Sequence, residues 1–551
     1  MKSIHPLSAV PATGLSRPWL AVLMAGFVIL WLATLGGRSL ISPDEGRYAT
    51  LALGMLHGGD WITPRLNGLL YFEKPPLQYW GGAASLWLFG ANEFAARLWP
   101  GLAGLATVAL VGVTAARLWG ANAGLYAWLI AGSTTWIVLN SHFLSLDAGL
   151  TAALTLVLCG VLRAERPGAA PREQRGWMVA AWAGMGLAVL SKGLVGVLIP
   201  GAVLILHSLW RLDFSVWRRL RWLPGLSALL LITVPWFAMV SARNPDFANF
   251  FFIHEHFQRY LSSVHRREGA WWYFVPYLLV GFLPWTSALP WVLRPHRSDF
   301  AASLLLVWVV FVFAFFSLSG SKLPSYILPL FPALALLLAR EIGRADARTL
   351  RWHLLLPTLL WAAALLALTQ IDRFIAKDAP RAAVESLARG IGTGAVLVLL
   401  AGALAWSLLG RQRKTAALAV FAAAHLVATL VVAQSYEPYG QLKSGAAIAR
   451  ALAPHIDSDT PVFSVRSYEQ TLPFYLGRPI ILVDYRDEFE FGQTHEPERW
   501  IPTLDAFIER WMREPRAAAY LEKDTLDELR RRGVPMQVIY EDPRRLMVVK
   551  P

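Results

Sequence analysis

Long apolar segments recur along most of the chain, and each is long enough to cross a lipid bilayer, which takes about 20 mostly apolar residues. The first segment follows a short basic N-terminal stretch and has no small-residue cleavage site after it, so we expect a retained span and not a signal peptide. The pattern predicts thirteen spans, at residues 18–37, 98–117, 121–139, 147–163, 177–191, 194–210, 222–241, 272–293, 300–318, 324–340, 352–370, 390–409 and 415–434.

The loops between these segments carry their basic residues on alternate sides. Arginine and lysine cluster within residues 163–175, 211–221, 294–297, 340–351 and 411–414. Basic loops stay in the cytoplasm, so the N-terminus is predicted to be cytoplasmic, with loops 38–97 and 242–271 on the opposite side. This alternation requires that residues 75–90, a short stretch that opens with two prolines, lie flat at the interface and do not cross the membrane.

The chain changes character near residue 436. Strand-like runs such as PVFSV and MQVIY alternate there with helical patterns such as TLDELRRRG. These features predict a soluble α/β domain over 436–551, after a membrane domain over 1–435. The predicted fold class is therefore a polytopic α-helical membrane protein of about 13 transmembrane helices with a C-terminal soluble α/β domain.

Composition supports this class. Of 551 residues, 56% are hydrophobic and only 16% are charged, whereas soluble proteins carry roughly 25% charged residues. The net charge of +14 suits anionic lipids or phosphorylated substrates as well as nucleic acid. Much of the arginine lies in cytoplasmic loops, where it sets the orientation of the chain in the membrane. Nucleic acid is therefore excluded as a partner, and membrane lipids are retained as partners. The single Cys159 excludes an intramolecular disulfide and a cysteine-based zinc site.

The first outer loop begins with adjacent carboxylates in the sequence ISPDEGRYA. Asp44, Glu45 and Arg47 follow the first span within a few residues. Two neighbouring carboxylates just outside the membrane can hold a cation or serve as a base. The alternative is an ordinary helix start, with Ser42 as the cap and Pro43 at the first helical position.

Further ionisable residues lie in the same loop and at the outer start of a later span. The loop continues to YFEKPPL, which contains Tyr71, Glu73 and Lys74. Asp147 lies where an apolar span begins, and a charge there is costly unless it is paired or functional. A helix cap assisted by Ser145 is the alternative at that position.

Two short outer turns supply cations. Lys192 in LSKGL has no acid near it in the sequence, so it binds a lipid phosphate or extends along apolar surface to the interface. The turn SLSGSKLPSYILP adds Lys322 and Tyr326. Acids and bases thus gather on the outer face, in loops that are far apart in the chain.

The second outer loop contains FFIHEHFQRY. Imidazoles of His254 and His256, with a carboxylate such as Glu73, suit zinc or a similar ion. An ordinary pair of hydrogen-bonded surface histidines is the alternative. Arg259 makes this loop basic, as a phosphate site requires.

These motifs together resemble a known family. DE-x-R-Y in the first outer loop, then YFEKPPL, EFAARLWPGL, SKG and SGSKLPSYILP, are similar to motifs of polyprenyl-phosphate-dependent membrane glycosyltransferases of the GT-C fold. Within that group, the chain is most similar to the bacterial 4-amino-4-deoxy-L-arabinose (aminoarabinose) transferases of lipid A. The resemblance covers the membrane part, and the family also ends in a periplasmic α/β domain.

The resemblance implies an inverting pentosyltransferase of the bacterial inner membrane. It would move aminoarabinose from undecaprenyl phosphate to a lipid A phosphate on the periplasmic face, which confers resistance to polymyxin and other cationic peptides. The acids expected near the reaction are Asp44, Asp147 and Glu45. The groups expected at the carrier phosphate are Lys74, Arg259, Arg47, Tyr71, Lys192, Lys322 and Tyr326. The expected ligands of a structural divalent metal, taken as zinc, are Glu73, His254 and His256.

Three other functions compete with this one. A related transferase would use a protein or another glycan as acceptor, and a hydroxyl acceptor would require Asp44 as base. A transporter or lipid flippase would place its ionisable groups near the bilayer midplane, whereas here they gather at the outer ends of spans. A sensor anchored by its spans would not need thirteen of them.

Overall fold

The computed structural model describes residues 17–258, 269–294, 297–376 and 380–551. Contacts among these residues divide the chain into two compact units. The membrane unit comprises residues up to 34, 100–369 and 388–433. The loop–tail unit comprises residues 35–99, 370–387 and 434–551. The first outer loop, which we assigned to the membrane domain, thus shares a unit with the tail.

The membrane unit is helical. Its α-helices, three of which extend into the other unit's residues, are Arg17–Ala33, Glu93–Trp119, Ala121–Ser133, Thr135–Ser141, Leu146–Ala164, Pro171–Lys192, Val195–Arg211, Ser215–Arg219, Trp222–Arg243, Phe274–Gly281, Leu289–Val292, Phe300–Leu318, Phe331–Arg344, Ala347–Ala367, Arg381–Gly410 and Lys414–Ser435. A π-helix covers Asn249–Gln258, and 3₁₀ turns cover Thr286–Ala288, Pro324–Leu330 and Leu368–Phe374.

Eight helices in the described part of the chain are long and apolar enough to cross a membrane. A ninth span is possible if the pair Phe274–Gly281 and Thr286–Val292, which bends by 112°, is one broken span. Two shorter apolar helices, Leu20–Ala33 and Val195–Arg211, are also present. The chain is therefore a multi-pass membrane protein, but the predicted count of thirteen is not confirmed.

Two spans that the sequence predicted as continuous, 121–139 and 272–293, are each broken into shorter helices. The two breaks contact each other. The hydroxyl groups of Ser133 and Thr134 bond back to carbonyls in the preceding turn, each at 2.7 Å, which competes with helix continuation. Residues 272–293 bend at Pro284, which has no N–H to donate. Trp285 donates its indole N–H to the Ser133 hydroxyl at 3.1 Å, so each break helps to satisfy the other.

The helix Leu146–Ala164 is the most deeply buried span of the membrane unit, with 89% of its apolar window enclosed. It packs against Pro171–Lys192 through small residues. Gly160 lies so close to the facing helix that a Cβ there would be 2.8 Å from the Trp177 carbonyl oxygen. Small residues let helix backbones approach in lipid, where no hydrophobic effect drives association. This packing fixes the two ends from which Asp147 and Lys192 project.

The loop–tail unit combines two loop helices, Asp44–Gly58 and Leu77–Phe89, with a hairpin and the tail domain. The hairpin pairs β1 (Arg65–Leu66) with β2 (Leu69–Leu70). Its tip is Asn67–Gly68, both with positive φ, as a tight two-residue hairpin requires. The Asn67 side chain bonds to the backbone N–H and carbonyl of Ile480 at 2.8 and 2.7 Å, which fastens the hairpin to the tail.

The stretch predicted to lie flat, residues 75–90, forms the helix Leu77–Phe89. It has 13 residues and is not among the helices of spanning length, which agrees with the prediction that it does not cross. Its end exposes the apolar side chains of Trp87, Leu88 and Phe89. Such an exposed aromatic end is typical of a helix at a membrane interface.

The tail domain is α/β, as the sequence predicted. Its strands are β3 (Val462–Val465), β4 (Ile481–Val483), β5 (Ala518–Leu521), β6 (Gln537–Glu541) and β7 (Leu546–Val549), in the order β4-β3-β5-β7-β6. β3 runs parallel to β4 and β5, and β7 is antiparallel to β5 and β6. Its α-helices are Glu437–Gln441, Ala446–Leu452, Leu472–Leu476, Glu490–His495, Leu504–Arg513 and Lys523–Arg531.

The centre of this sheet is buried on both faces. Every residue of β3, β5 and β7 is buried, so these strands are nearly continuous apolar runs without alternation. The 3₁₀ turns of the tail are Ala453–His455, Asp487–Phe489 and Pro497–Arg499. The turn after β4 carries Glu488 toward the first outer loop, which is the feature that matters for the site.

Candidate functional site

In the loop–tail unit, Asp44 lies at the start of its helix, one turn before Arg47. Nη1 of Arg47 donates to the Asp44 carboxylate at 2.9 Å, and the Asp44 side chain stays 31% exposed. Arg47 also binds Glu488 of the tail, with its Nε 2.6 Å from Oε2. The unit therefore presents an accessible carboxylate whose position is set by a largely buried arginine.

Glu488 is the centre of a buried polar cluster. Gln470 donates to its Oε1, and the Tyr71 hydroxyl donates to its Oε2 at 3.4 Å. Burial raises the pKa of Glu488, and the Arg47 guanidinium opposes this shift. Burial also raises the pKa of Tyr71, and the Glu73 carboxylate adds to the rise, so Tyr71 is a neutral donor.

Glu45 has a structural place, which corrects the prediction that it is a catalytic acid. Its side chain is fully buried, and both carboxylate oxygens are held by Arg97, at 2.6 and 2.7 Å. Arg97 also donates to the backbone carbonyls of Leu35, Arg38 and Ser39. A carboxylate enclosed by a bidentate arginine cannot contact a substrate; it closes the turn before Asp44.

The helix start that we considered as the alternative is present, since a helix begins at Asp44, but Ser42 does not cap it. The residue that precedes the helix is Pro43, and no side chain caps it. The Ser42 hydroxyl donates instead to Glu469 of the tail, and its backbone N–H donates to the Lys443 carbonyl at 2.8 Å. The segment just before Asp44 is therefore held by the tail.

The YFEKPPL segment belongs to the same unit. Nζ of Lys74 donates to the backbone carbonyl of Glu73 at 2.7 Å, and both side chains are half-buried. The charge of Glu73 contributes to the raised pKa values of both Tyr71 and Glu488. The structure thus brings this segment to the Arg47 cluster, as expected for two parts of one loop that serve one site.

In the membrane unit, Asp147 and Lys192 form an ion pair at the ends of two packed helices. Asp147 is 5% exposed, and its second oxygen accepts a hydrogen bond from the Ser325 hydroxyl at 2.7 Å. The Lys192 ammonium also lies 4.3 Å from the ring centroid of Tyr326. Lys192 has no acid near it in the sequence, and its partner comes from a span 45 residues away in the chain.

Two further details complete this second cluster. Ser145 caps its helix as expected, accepting from the Asp147 backbone N–H at 3.3 Å. That cap leaves the Asp147 carboxylate available for Lys192. Lys322 is 8% exposed and donates to the Ser319 carbonyl at 2.7 Å, within the turn that precedes Tyr326.

The predicted residues of the second outer loop are only partly described. Arg259 lies outside the described residues, and for His254 and His256 only the backbone of the π-helix is described. Within the part of the chain that the structure describes, no group of three His, Cys, Asp or Glu residues could hold a metal ion. The metal site of Glu73 with the two histidines therefore stays a prediction.

Sequence reasoning missed four residues of these clusters: Glu488, Gln470, Arg97 and Ser325. The signal for Glu488 was weak: it precedes Phe489 in the run DEFEF, but so do other acids that stay exposed, such as Asp487. Ser325 and Arg97 carry no such local signal, since their roles depend on which helix ends pack together.

Comparisons with known proteins agree with this architecture. A family model described as dolichyl-phosphate-mannose-protein mannosyltransferase matches residues 19–251, and one described as the aminoarabinose transferase C-terminal domain matches residues 448–550. The undecaprenyl phosphate-α-4-amino-4-deoxy-L-arabinose arabinosyl transferase of Pseudomonas paraeruginosa is 34% identical over 65% of this chain and 67% of its own length. That of Edwardsiella ictaluri is 33% identical, with 58% of each chain covered.

Solved structures extend the similarity to nearly the whole chain. The crystal structure of ArnT from Cupriavidus metallidurans bound to undecaprenyl phosphate matches with a TM-score of 0.93 and 37% identity, over 97% of this chain and 98% of that one. The apo crystal structure of the same protein gives a TM-score of 0.92. Fold and matches together define a membrane glycosyltransferase of the GT-C fold that depends on a lipid-linked sugar.

Within this class, the tail domain and the full-length match identify the family. The chain belongs to the undecaprenyl phosphate-aminoarabinose arabinosyl transferases.

Proposed function

We propose that the protein transfers 4-amino-4-deoxy-L-arabinose from undecaprenyl phosphate to a phosphate of lipid A, a modification that protects bacteria from polymyxin and other cationic peptides. The observation that carries the proposal is the match, over 97% of the chain, to a transferase crystallised with undecaprenyl phosphate. The accessible Asp44 held by Arg47 agrees with it. A secondary transporter or flippase is the other outcome that the experiment below separates.

The proposed location is the bacterial inner membrane, with the outer loops and the tail in the periplasm. The basic loops support this orientation, because they fall on the side opposite loops 38–97 and 242–271. A periplasmic tail also agrees with the contacts of the loop–tail unit, where tail residue Glu488 binds Arg47 of loop 38–97. Both segments must be on the same side of the membrane for that pair to form.

The proposed reaction is a direct displacement at the anomeric carbon. An oxygen of the acceptor phosphate forms the new bond while the bond to the carrier phosphate breaks, and the anomeric centre inverts. A lipid phosphate is already anionic, so no base is needed to activate it. Asp44, held by Arg47 at 2.9 Å, is suited to bind the sugar amine or to stabilise positive charge on the sugar ring.

Cations take up the charge that develops on the leaving carrier phosphate. We assign this role to Lys74 and Arg259. Lys74 is half-buried and lies in the same unit as the Arg47 cluster, so its ammonium is less screened by water than a surface lysine would be. Preorganised cations of this kind stabilise a transition state in which a phosphate leaves.

A structural divalent metal is a further part of the proposal, with Glu73, His254 and His256 as ligands. Imidazole and carboxylate donors suit zinc, and Glu73 lies near a second carboxylate, Glu488, whose pKa it raises. Elemental analysis of purified wild type and of His254→Ala tests it: one zinc per chain in wild type and none in the variant is expected, and no metal in either would contradict it.

The transfer is tested with the purified full-length protein in detergent. Wild type is incubated with undecaprenyl phosphate-aminoarabinose and lipid A, and the lipid is analysed by mass spectrometry. We expect added aminopentose in wild type and a loss of at least about 100-fold in Asp44→Asn, because a charge that stabilises the transition state is removed. Asp484→Asn, an exposed aspartate of the same unit, serves as the matched control.

Three results would contradict the proposal in different ways. Wild-type rates in Asp44→Asn would refute the assignment of the site. Transfer to a protein or a hydroxyl-bearing glycan, but not to lipid A, would refute the acceptor. Movement of a solute across proteoliposomes without any covalent product would support the transporter instead.

A further inference from the structure

A second polar cavity lies in the loop–tail unit, away from Asp44. It has a volume of about 430 Å³ and is enclosed by the later turns of the helix Asp44–Gly58, the hairpin and tail residues 473–479. The residues of that helix that line it begin at Thr50 and include His57, which are 6 and 13 residues after Asp44, so the cavity extends from about 9 Å to about 20 Å from Asp44 along the helix axis. None of the catalytic roles proposed above involves this cavity.

Three arginines line the cavity: Arg65, Arg478 and Arg499. One glutamate, Glu496, pairs with two of them, at 2.6 Å from Arg65 and 3.1 Å from Arg499. Asp60 is the other acid at the cavity, and its Oδ1 accepts the backbone N–H groups of Ile62 and Thr63. Glu498 also lies 3.8 Å from Arg499, so carboxylates offset the charge of the three guanidinium groups, and what the cavity offers a ligand is the N–H donors that these contacts leave unused.

Backbone carbonyl oxygens hold the guanidinium groups as well as these acids do. Arg478 donates through both terminal nitrogens to the carbonyls of Ser458 and Thr460. Arg65 donates to the Gly68 carbonyl at 3.0 Å. A guanidinium has five N–H donors, so both side chains keep donors for a ligand after these contacts. Planar forks fixed in this way are suited to bind phosphate oxygens.

The surroundings of the cavity point to a lipid headgroup. Trp61 follows the cavity residue Asp60 and is 39% exposed, and its carbonyl accepts the indole N–H of Trp80 at 2.7 Å. Trp80 belongs to the helix Leu77–Phe89, whose end exposes Trp87. Exposed tryptophans mark the level of lipid headgroups in membrane proteins. A phosphate bound at this level belongs to a lipid.

We propose that this cavity binds a phosphate on the headgroup of the acceptor glycolipid, at a distance from the phosphate that receives the sugar. The inference rests on the proposed function, since it assigns the acceptor a second point of attachment. Such a site would orient the acceptor and would select phosphorylated lipids, without taking part in the displacement.

The test measures binding of lipid A to the full-length protein in nanodiscs without the sugar donor. Arg478→Gln and Arg499→Gln are each compared with wild type, and Arg466→Gln, an exposed arginine of the tail paired with Asp484 and Glu528, is the matched control. We expect about tenfold weaker binding for each cavity variant, because one charge-assisted contact to phosphate is lost. Binding by the control is expected to be unchanged. Arg478→Lys, which keeps the charge, is expected to lie between wild type and Arg478→Gln.

Transfer kinetics give a readout that a merely structural effect would not produce. Both cavity variants should raise the KM for lipid A about tenfold, with kcat and the KM for the donor unchanged. Dephosphorylated lipid A should bind equally to wild type and variants. Equal affinity of all proteins for phosphorylated lipid A would overturn the proposal, as would a cavity that binds inorganic phosphate while lipid A binding is insensitive to the variants.

The two proposals fail separately. If wild type transfers no aminoarabinose but the cavity variants still bind phosphorylated lipid more weakly, the reaction assignment is wrong and the lipid site stands. If transfer occurs and the variants bind lipid A as wild type does, the lipid site is wrong and the reaction stands.

Discussion

Replacing Arg97 with methionine should destabilise the loop–tail unit severely while leaving the chemistry of Asp44 intact. Arg97 and Glu45 are both fully buried, and their two hydrogen bonds measure 2.6 and 2.7 Å. The substitution leaves a carboxylate with no counter-charge in an interior position. Breaking a buried pair by removing one partner costs about 3–5 kcal/mol, because the remaining charge stays desolvated.

The expected shift in melting temperature follows from the size of the unit. For a domain of this size class, 1 kcal/mol corresponds to about 2–4 °C, so Arg97→Met should lower the unfolding temperature in detergent by roughly 10 °C. Arg466→Met removes an arginine that is 38% exposed and paired with Asp484 and Glu528. Exposed pairs contribute about 0–1 kcal/mol, so this control should melt within a few degrees of wild type.

A double variant and an activity measurement separate the structural role from a catalytic one. Arg97→Met with Glu45→Leu removes both charges and should melt above Arg97→Met alone, since no unpaired charge remains. Folded Glu45→Gln, assayed at low temperature, should keep kcat within about threefold of wild type, whereas Asp44→Asn loses about 100-fold. A melting change of Arg97→Met no larger than that of the control, or a loss of kcat in Glu45→Gln as large as in Asp44→Asn, would refute this reasoning.

Three further changes test the other clusters. Burial raises the pKa of Glu488 above its ordinary value of 4.5, so the transfer rate should fall as the pH drops through that raised pKa, because the charge that holds Arg47 is lost. Glu488→Gln should be slower than wild type at neutral pH and should not show this fall at acidic pH. A fall that persists in the variant would contradict the role of Glu488 in holding Arg47. The sign for stability is opposite: the stabilisation from protonating Glu488 is complete below pH 4.5 and is lost as the pH rises through the raised pKa. Thermal melts of wild type should show this loss, and those of Glu488→Gln should not, because the variant has no proton to release there. Asp147→Asn and Lys192→Met should each lower the transfer rate at least about tenfold. The double variant should lose less activation free energy than the sum of the two single losses, because the two groups act as one pair. Additive losses would mean that they act independently. Asn67→Ala should lower the free energy of unfolding by about 2 kcal/mol, measured by melting against wild type, since it removes two backbone contacts at a turn with positive φ. An unchanged melt would contradict this.

The sequence predicted the regular parts of the fold because their causes are local. Apolar length indicated most of the membrane helices, and the strand-like runs PVFSV, IILVD, AAAYL and MQVIY correspond to four of the five tail strands. The broken spans could not be predicted in this way. Ser133 and Thr134 end a helix through hydrogen bonds to their own preceding turn, and Trp285, 152 residues away, stabilises that break. Only the folded chain brings these residues together.

The sequence indicated which charged residues belong to the candidate site, but it could not indicate which of them pair with each other. Asp44, Arg47 and Lys74 stood out because charged groups next to an apolar span need a reason to be there. Their partners depend on contacts over long sequence separations, such as the 441 residues between Arg47 and Glu488. Glu45 shows the limit most clearly, because an acid adjacent to Asp44 is indistinguishable from it in sequence and points into the interior in the structure.

The tail domain of this protein fixes the first outer loop through several contacts. Three tail carboxylates bind the short segment that contains Asp44: Glu437 binds Ser39, Glu469 binds Ser42, and Glu488 binds Arg47. Glu469 is itself held by Arg545, at 2.7 Å and 3% exposed. A loop has few contacts of its own to fix a side chain, and catalysis needs the reacting groups to be positioned closely. Under the proposed reaction, these tail contacts hold Asp44 in position, and their loss should reduce kcat.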